Sequence, residues 1–166
     1  YYEQVPLPPL RALNGSHVFY LGSFSKILAP ALRLGWIVAP AALMPKLTVV
    51  KEACDLESSA FVQRTVSAYL DAGHLPAHVE TLRTAYKSRR DTLLGALDRY
   101  FPASARWSVP QSGMFVWADL GGETDTTALL DTAVKDYQVA FIPGRAFAVG
   151  GHPRADHSMR LNFSNA

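Results

Sequence analysis

The sequence predicts an α/β chain in two parts, and three observations carry that expectation. Up to residue 75, short apolar runs rich in strand formers are joined by helical stretches, as in a layer of strands buried on both faces. From His78, apolar residues recur at helical spacing as far as Phe101. A hairpin pattern, one more helix and two strands follow, the mark of a small α+β unit. The predicted organisation is residues 1–75 as one domain and 76–166 as a second.

Taken in order, His17–Ser23 reads as a buried strand, and a loop carrying Lys26 and Pro30 follows it to Arg33. Leu34–Ala39 reads as a second buried strand, stopped by Pro40, which also suits the first turn of a following helix. Ser58 and Ser59 can cap a helix that runs through Phe61, Val62, Val66 and Leu70 to Gly73. Val79, Leu82, Tyr86, Leu93, Leu97 and Phe101 mark one face of a long helix, with Arg83, Lys87, Arg89, Arg90 and Asp91 mostly on the others. Pro102 ends it. Trp107–Leu120 reads as a hairpin turning near Pro110–Gly113, with Met114–Leu120 the stronger strand. Thr126–Tyr137 reads as a helix, Val139–Ile142 as a strand stopped by Pro143 and Gly144, and Met159–Ser164 as the last strand.

Composition narrows the classes of function. Of 166 residues, 49% are hydrophobic and 18% charged, which suits a buried core and excludes compositional disorder. Sixteen Lys and Arg against 14 Asp and Glu leave a net charge of +2 without a basic stripe, so no nucleic-acid partner is expected from this portion. Cys54 is the single cysteine, which excludes an intrachain disulfide, and the five histidines are scattered without metal-ligand spacing. No apolar run reaches the roughly 18 residues of a membrane span, and the opening residues do not form a signal peptide, so a cytoplasmic protein is expected. With no initiator Met and a strand at its close, the chain is expected to be a fragment.

The stretch from Tyr20 to Trp36 carries the chemistry. Ser23, Ser25 and Arg33 lie in one loop between two strands and together can hold a phosphate dianion, the arginine through its forked donors. Lys26, beside another cation, can supply a neutral amine that attacks a carbonyl. A phosphate and an aldehyde on one ligand is a description that pyridoxal 5'-phosphate meets. Taken alone, the same residues also read as an ordinary exposed loop lysine and a surface arginine.

Ser23-Phe24-Ser25-Lys26, followed by Leu32-Arg33, Gly35 and Trp36, resembles the lysine motif of fold-type-I pyridoxal-phosphate aminotransferases of class I/II. Within them it is similar to the branch of 2-aminoadipate and kynurenine/aminoadipate aminotransferases. Gly113–Trp117 resembles that family's Gly-Met-Phe-Leu-Trp strand, Phe141–Phe147 its Pro-Gly-x-x-Phe turn, and Met159–Ser164 its arginine-bearing strand. The four motifs occur in family order and cover essentially the whole chain. The resemblance implies the C-terminal part of a transferase fold: the end of a large, mostly parallel-sheet domain, then a small domain incomplete at its end.

It further implies a role for each matching residue. Lys26 would carry the cofactor as a Schiff base and shuttle a proton; Ser23, Ser25 and Arg33 would hold its phosphate. Arg160 would bind the substrate α-carboxylate, with Phe115 and Met114 on the substrate side. Independently, Met159, Leu161 and Phe163 alternate with Arg160, Asn162 and Ser164, so one strand face is apolar and the other polar. A structural salt bridge for Arg160 and core packing for Phe115 are the plain alternatives. The implied partners are an amino acid, a 2-oxo acid and a second copy in a homodimer; no metal and no membrane enter. Ala31 and Ser112 stand where the family has glycine, and the residues that hold the cofactor ring lie upstream of this stretch. Two other outcomes stay open from sequence: the sensor domain of a winged-helix transcription regulator, and a fragment without activity of its own.

Overall fold

A computed structural model of the chain describes residues 1–150 and 152–164. They form two compact units: Val5–Leu82 is one, and Tyr1–Gln4 joins Arg83–Ala166 in the other. The sequence places the boundary at residue 75, whereas the contacts divide the chain inside the long helix and give the first four residues to the later unit.

In the unit Val5–Leu82, a one-turn helix α1 (Leu10–Leu13) precedes a hairpin of β1 (Tyr20–Ser23) and β2 (Gly35–Val38). The strands pair antiparallel, with Tyr20 opposite Val38 and Ser23 opposite Gly35. The loop between them is spent in tight turns that reverse the chain, so the two strands meet as a hairpin. The expectation of strands buried on both faces is corrected here: Leu21 is 70% exposed and Ile37 51%. Periodicity reports that a strand is apolar, not what covers it, and among the described residues nothing does. Pro40 ends β2. The predicted helix starts later than Pro40, which instead precedes a 3₁₀ turn (Ala41–Leu43); it follows as α2 (Met44–Asp55), with Pro45 in its first turn. Ser59 caps α3 (Ala60–Asp71), its hydroxyl accepting from the Val62 N–H at 3.4 Å. Gly73, at φ 73°, turns the chain into α4 (Leu75–Tyr100). That helix begins before His78, because Leu75-Pro76 fits a first turn.

The second unit is a four-stranded antiparallel sheet with α4 on its apolar face. β3 (Arg106–Trp107) and β4 (Phe115–Asp119) form the expected hairpin. After α5 (Thr126–Tyr137) come β5 (Ile142–Pro143) and β6 (Ser158–Asn162), and the order across the sheet is β3-β4-β6-β5. β5 is shorter than predicted because the Val139 N–H is used at the end of α5, donating to the Ala133 carbonyl at 3.0 Å. Val116 and Ala118 from β4, Met159 from β6, and Phe163 face inward and are buried, with Leu97 of α4 among them. Burying a side chain of the size of Phe163 or Val116 is worth about 1.5–3 kcal/mol. Thr126, fully buried, ties α5 to β6: its hydroxyl donates to the carbonyls of Asp156 (3.0 Å) and Ser158 (2.8 Å).

The first four residues are clasped to this unit. Tyr2 is buried, its N–H donates to the Gln111 carbonyl at 2.9 Å, and its hydroxyl donates to the Gly113 carbonyl. The buried Arg90 guanidinium lies 4.8 Å over the Tyr2 ring and donates to Glu3 at 3.0 Å and to the Pro110 carbonyl at 3.0 Å. The Arg90 hydrogen bond holds the Glu3 carboxyl below the usual carboxylate range, and Lys87 followed by Arg90 does the same for Asp91. A carboxylate with a depressed folded pKa stabilises fully above its unfolded value, about 4, and loses that contribution as pH falls through the lower folded value. Hydrogen-exchange protection of the Tyr2 amide is therefore expected to fall below about pH 4, and Glu3→Gln is expected to show the lower protection already at neutral pH; equal protection throughout would contradict the clasp.

Candidate functional site

The residues singled out in sequence occupy two places, one in each unit. Ser23, Ser25, Lys26 and Arg33 share the loop that joins β1 to β2. Its base is closed by the ladder at Ser23–Gly35 and by the Phe24 N–H donating to the Leu34 carbonyl at 3.1 Å. The Phe24 carbonyl accepts from Leu28 (2.8 Å) and Ala29 (3.1 Å), so Lys26 sits inside one tight turn. The Ser23 hydroxyl oxygen accepts from the Ser25 N–H at 3.1 Å. Arg33 closes the 3₁₀ turn Pro30–Leu32 in the left-handed region, φ 49° and ψ 37°, a conformation that costs a non-glycine residue about 1–2 kcal/mol. Its guanidinium donates to the Pro30 carbonyl at 3.2 Å. Lys26 and Arg33 are both exposed.

Two glycines hold this loop in place. The Trp36 indole lies directly on Gly22, where a Cβ would come within 2.1 Å of the ring, and Gly35 approaches the Gly22 carbonyl so closely that a Cβ would lie 2.8 Å from its oxygen. Laid down in this way, Trp36 packs against Phe24 with ring centroids 4.8 Å apart, which anchors the residue two positions before Lys26.

The residues present fit an anionic, phosphate-bearing group. Ser23, Ser25, Lys26 and Arg33 supply hydroxyl and cationic donors, and no Asp or Glu occurs anywhere between Glu3 and Glu52. That gap in acidic residues was legible in the sequence and strengthens the case made from the loop alone.

Arg160 lies on the open face of the four-stranded sheet. It sits opposite Trp117 of β4 and Ile142 of β5, half-buried. Its guanidinium lies over the Phe115 ring at 4.1 Å and over the Phe147 ring at 4.7 Å. Among the described residues it forms no ion pair. A cavity of about 150 Å³ opens beside it, lined by Phe115, Ala140, Phe141, Ile142, Arg160 and Asn162. Phe115, weighed between core and site, is half-buried: its ring lies under the Arg160 guanidinium and it also packs against the core, whereas Met114 is buried in the core. Sequence reasoning missed Phe147 and Trp117 as neighbours of Arg160. Strand alternation alone places Asn162 on the arginine's face; the two aromatic neighbours needed the register and the turn.

Known proteins resemble this chain in sequence and in fold. The family described as aminotransferase class I and II matches residues 5–166. The chain is 40% identical over 164 residues to aromatic-amino-acid aminotransferase 1 of Thermococcus litoralis, covering 98% of this chain and 39% of that protein. It is 38% identical over 116 residues to the uncharacterized HTH-type transcriptional regulator YdfD of Bacillus subtilis, covering 69% of this chain and 24% of the regulator. The crystal structure of LysN, the α-aminoadipate aminotransferase of Thermus thermophilus complexed with N-(5'-phosphopyridoxyl)-L-leucine, matches with a TM-score of 0.91 and 32% identity. That match covers 100% of this chain and 43% of LysN. The chain thus spans about two fifths of the length of these two aminotransferases, and its fold is part of their α/β transferase fold.

Gly35→Ala is expected to cost about 1–3 kcal/mol in urea unfolding, because the atom it would strike is backbone and cannot swing aside. Gly95→Ala, in the interior of α4 with nothing within 4 Å, is expected to stabilise by about 0.5–1 kcal/mol. Equal and small effects at both positions would contradict the anchoring of the loop.

Proposed function

The chain belongs to the aminotransferase class I and II family, and we propose that it carries the lysine and both anion-binding groups of a pyridoxal-phosphate-dependent aminotransferase. The reaction would move an amino group from an amino acid to a 2-oxo acid. Ser23, Ser25 and Arg33 would hold the cofactor phosphate, and Lys26 Nζ would hold its aldehyde carbon. When bound, the cofactor supplies an electron sink for the charge left on the substrate α-carbon. Lys26 Nζ, released from the cofactor when the substrate amine takes its place, would take the proton from that carbon as base and return a proton as acid. Arg160 grips the α-carboxylate through paired donors, with Phe115 beneath its guanidinium. The observation that most supports the reading is an arginine that rests on two aromatic rings and opens onto a small cavity, with no carboxylate paired to it among the described residues.

The relatives are named for aromatic amino acids and 2-aminoadipate, so those are the substrate classes to assay first. A homodimer and a cytoplasmic setting, in which the exposed Cys54 thiol stays reduced, belong to the same proposal. The HTH-type relative supports a second reading, in which the same groups hold the cofactor in the sensing part of a transcription regulator.

Borohydride reduction of the full-length protein loaded with pyridoxal 5'-phosphate, followed by peptide mapping, is expected to place the label on Lys26; a label on another lysine would refute both readings. Transamination of an aromatic or aminoadipate donor, reduced roughly 10²–10⁴-fold by Lys26→Ala, favours the enzyme. Labelling without turnover favours the regulator.

A further inference from the structure

We infer that Phe147 is a positioning residue for Arg160: its ring sets the plane in which the guanidinium presents its donors to a carboxylate, an inference that rests on the role proposed for Arg160. A long arginine side chain on an open sheet face has many rotamers, and paired recognition of a carboxylate needs one of them. Among the described residues no ion pair selects it. Two rings do, and they come from different places. Phe115 is fixed by the β4–β6 register. Phe147 stands at the end of a 3₁₀ turn, Gly144–Phe147, that follows β5.

That turn is held at three successive residues. Pro143 pairs with Met159 in the ladder. Gly144 is buried so tightly that a Cβ would lie 2.5 Å from the Ala155 carbonyl oxygen and 2.9 Å from the Ser158 Cβ. Arg145 Nε donates to Asp156 at 2.8 Å, and that hydrogen bond holds the Asp156 carboxyl below the usual carboxylate range. From this base the Phe147 ring reaches over the Arg160 guanidinium and meets Trp117 edge-on, centroids 5.6 Å apart. Trp117 is in turn the ladder partner of Arg160, so the three side chains brace one another. Hydrophobic burial does not account for the arrangement, since Phe147 is 44% exposed. Stacking on ring faces uses the flat side of a guanidinium and leaves its N–H edge free for a ligand.

The test is calorimetric binding of 3-phenylpropionate and of its neutral amide, 3-phenylpropanamide, to the full-length protein with its cofactor. Phe147→Ala is expected to weaken carboxylate binding about tenfold, equivalent to about 1.4 kcal/mol, and to leave the amide unchanged. Phe147→Tyr, which keeps the ring face, is expected to restore the wild-type value. Phe147→Leu, which keeps apolar bulk without a π face, carries the expectation of the alanine variant if the latter does not fold. In turnover, KM for the amino acid is expected to rise with kcat retained. Wild-type carboxylate affinity in the alanine or leucine variant, or no rescue by tyrosine, would overturn the inference. If Arg160→Ala also left carboxylate affinity unchanged, the reading of Arg160 itself would fall; loss there with none at Phe147 would overturn the positioning role alone.

Discussion

Side-chain parity along β6 governs what the C-terminal unit can do. Met159 and Leu161, with Phe163 beyond the strand, turn toward the core, while Arg160 and Asn162 turn to the open face between Trp117 and Ile142. A one-residue slip would exchange the two sets, burying a guanidinium without a partner and exposing the core. The core therefore fixes the arginine as firmly as it fixes itself. Thr126 and Gly144 reinforce the same register from α5 and from the turn after β5.

The loop between β1 and β2 follows the same logic with different means. Here backbone proximity, not a core, sets the geometry: glycine at 22 and at 35 lets Trp36 lie flat and hold Phe24. Arg33 accepts a left-handed conformation that few arginines adopt, a local cost that fits a position selected for what it presents. Each unit thus offers exposed or half-exposed cationic donors with no protein carboxylate set against them among the described residues. Among the described residues no helix is long and apolar enough to cross a membrane.

What the sequence made legible was local. The Ser59 cap and the whole of Thr126–Tyr137 were readable because a capping hydroxyl and helical spacing act over a few residues. The motif residues were readable because their chemistry survives without coordinates. What was hidden depended on distant partners. Exposure of Leu21 and Ile37 depends on what covers the strand, and the length of β5 on where one N–H is spent. The clasp of Glu3 on Arg90 joins residues 87 positions apart and leaves no local trace. Phe147 was visible as part of a motif, but its place over Arg160 follows from the tight seat of Gly144 on the chain entering β6.

The most direct measurement is a crystal structure of the full-length protein with pyridoxal 5'-phosphate and a bound substrate-like carboxylate. Phosphate oxygens within hydrogen-bond reach of Ser23, Ser25 and Arg33, density continuous from Lys26 Nζ, and the carboxylate paired with Arg160 are the expected result. A phosphate bound away from the 23–33 loop, or Arg160 turned to a protein carboxylate while the ligand lies elsewhere, would contradict it.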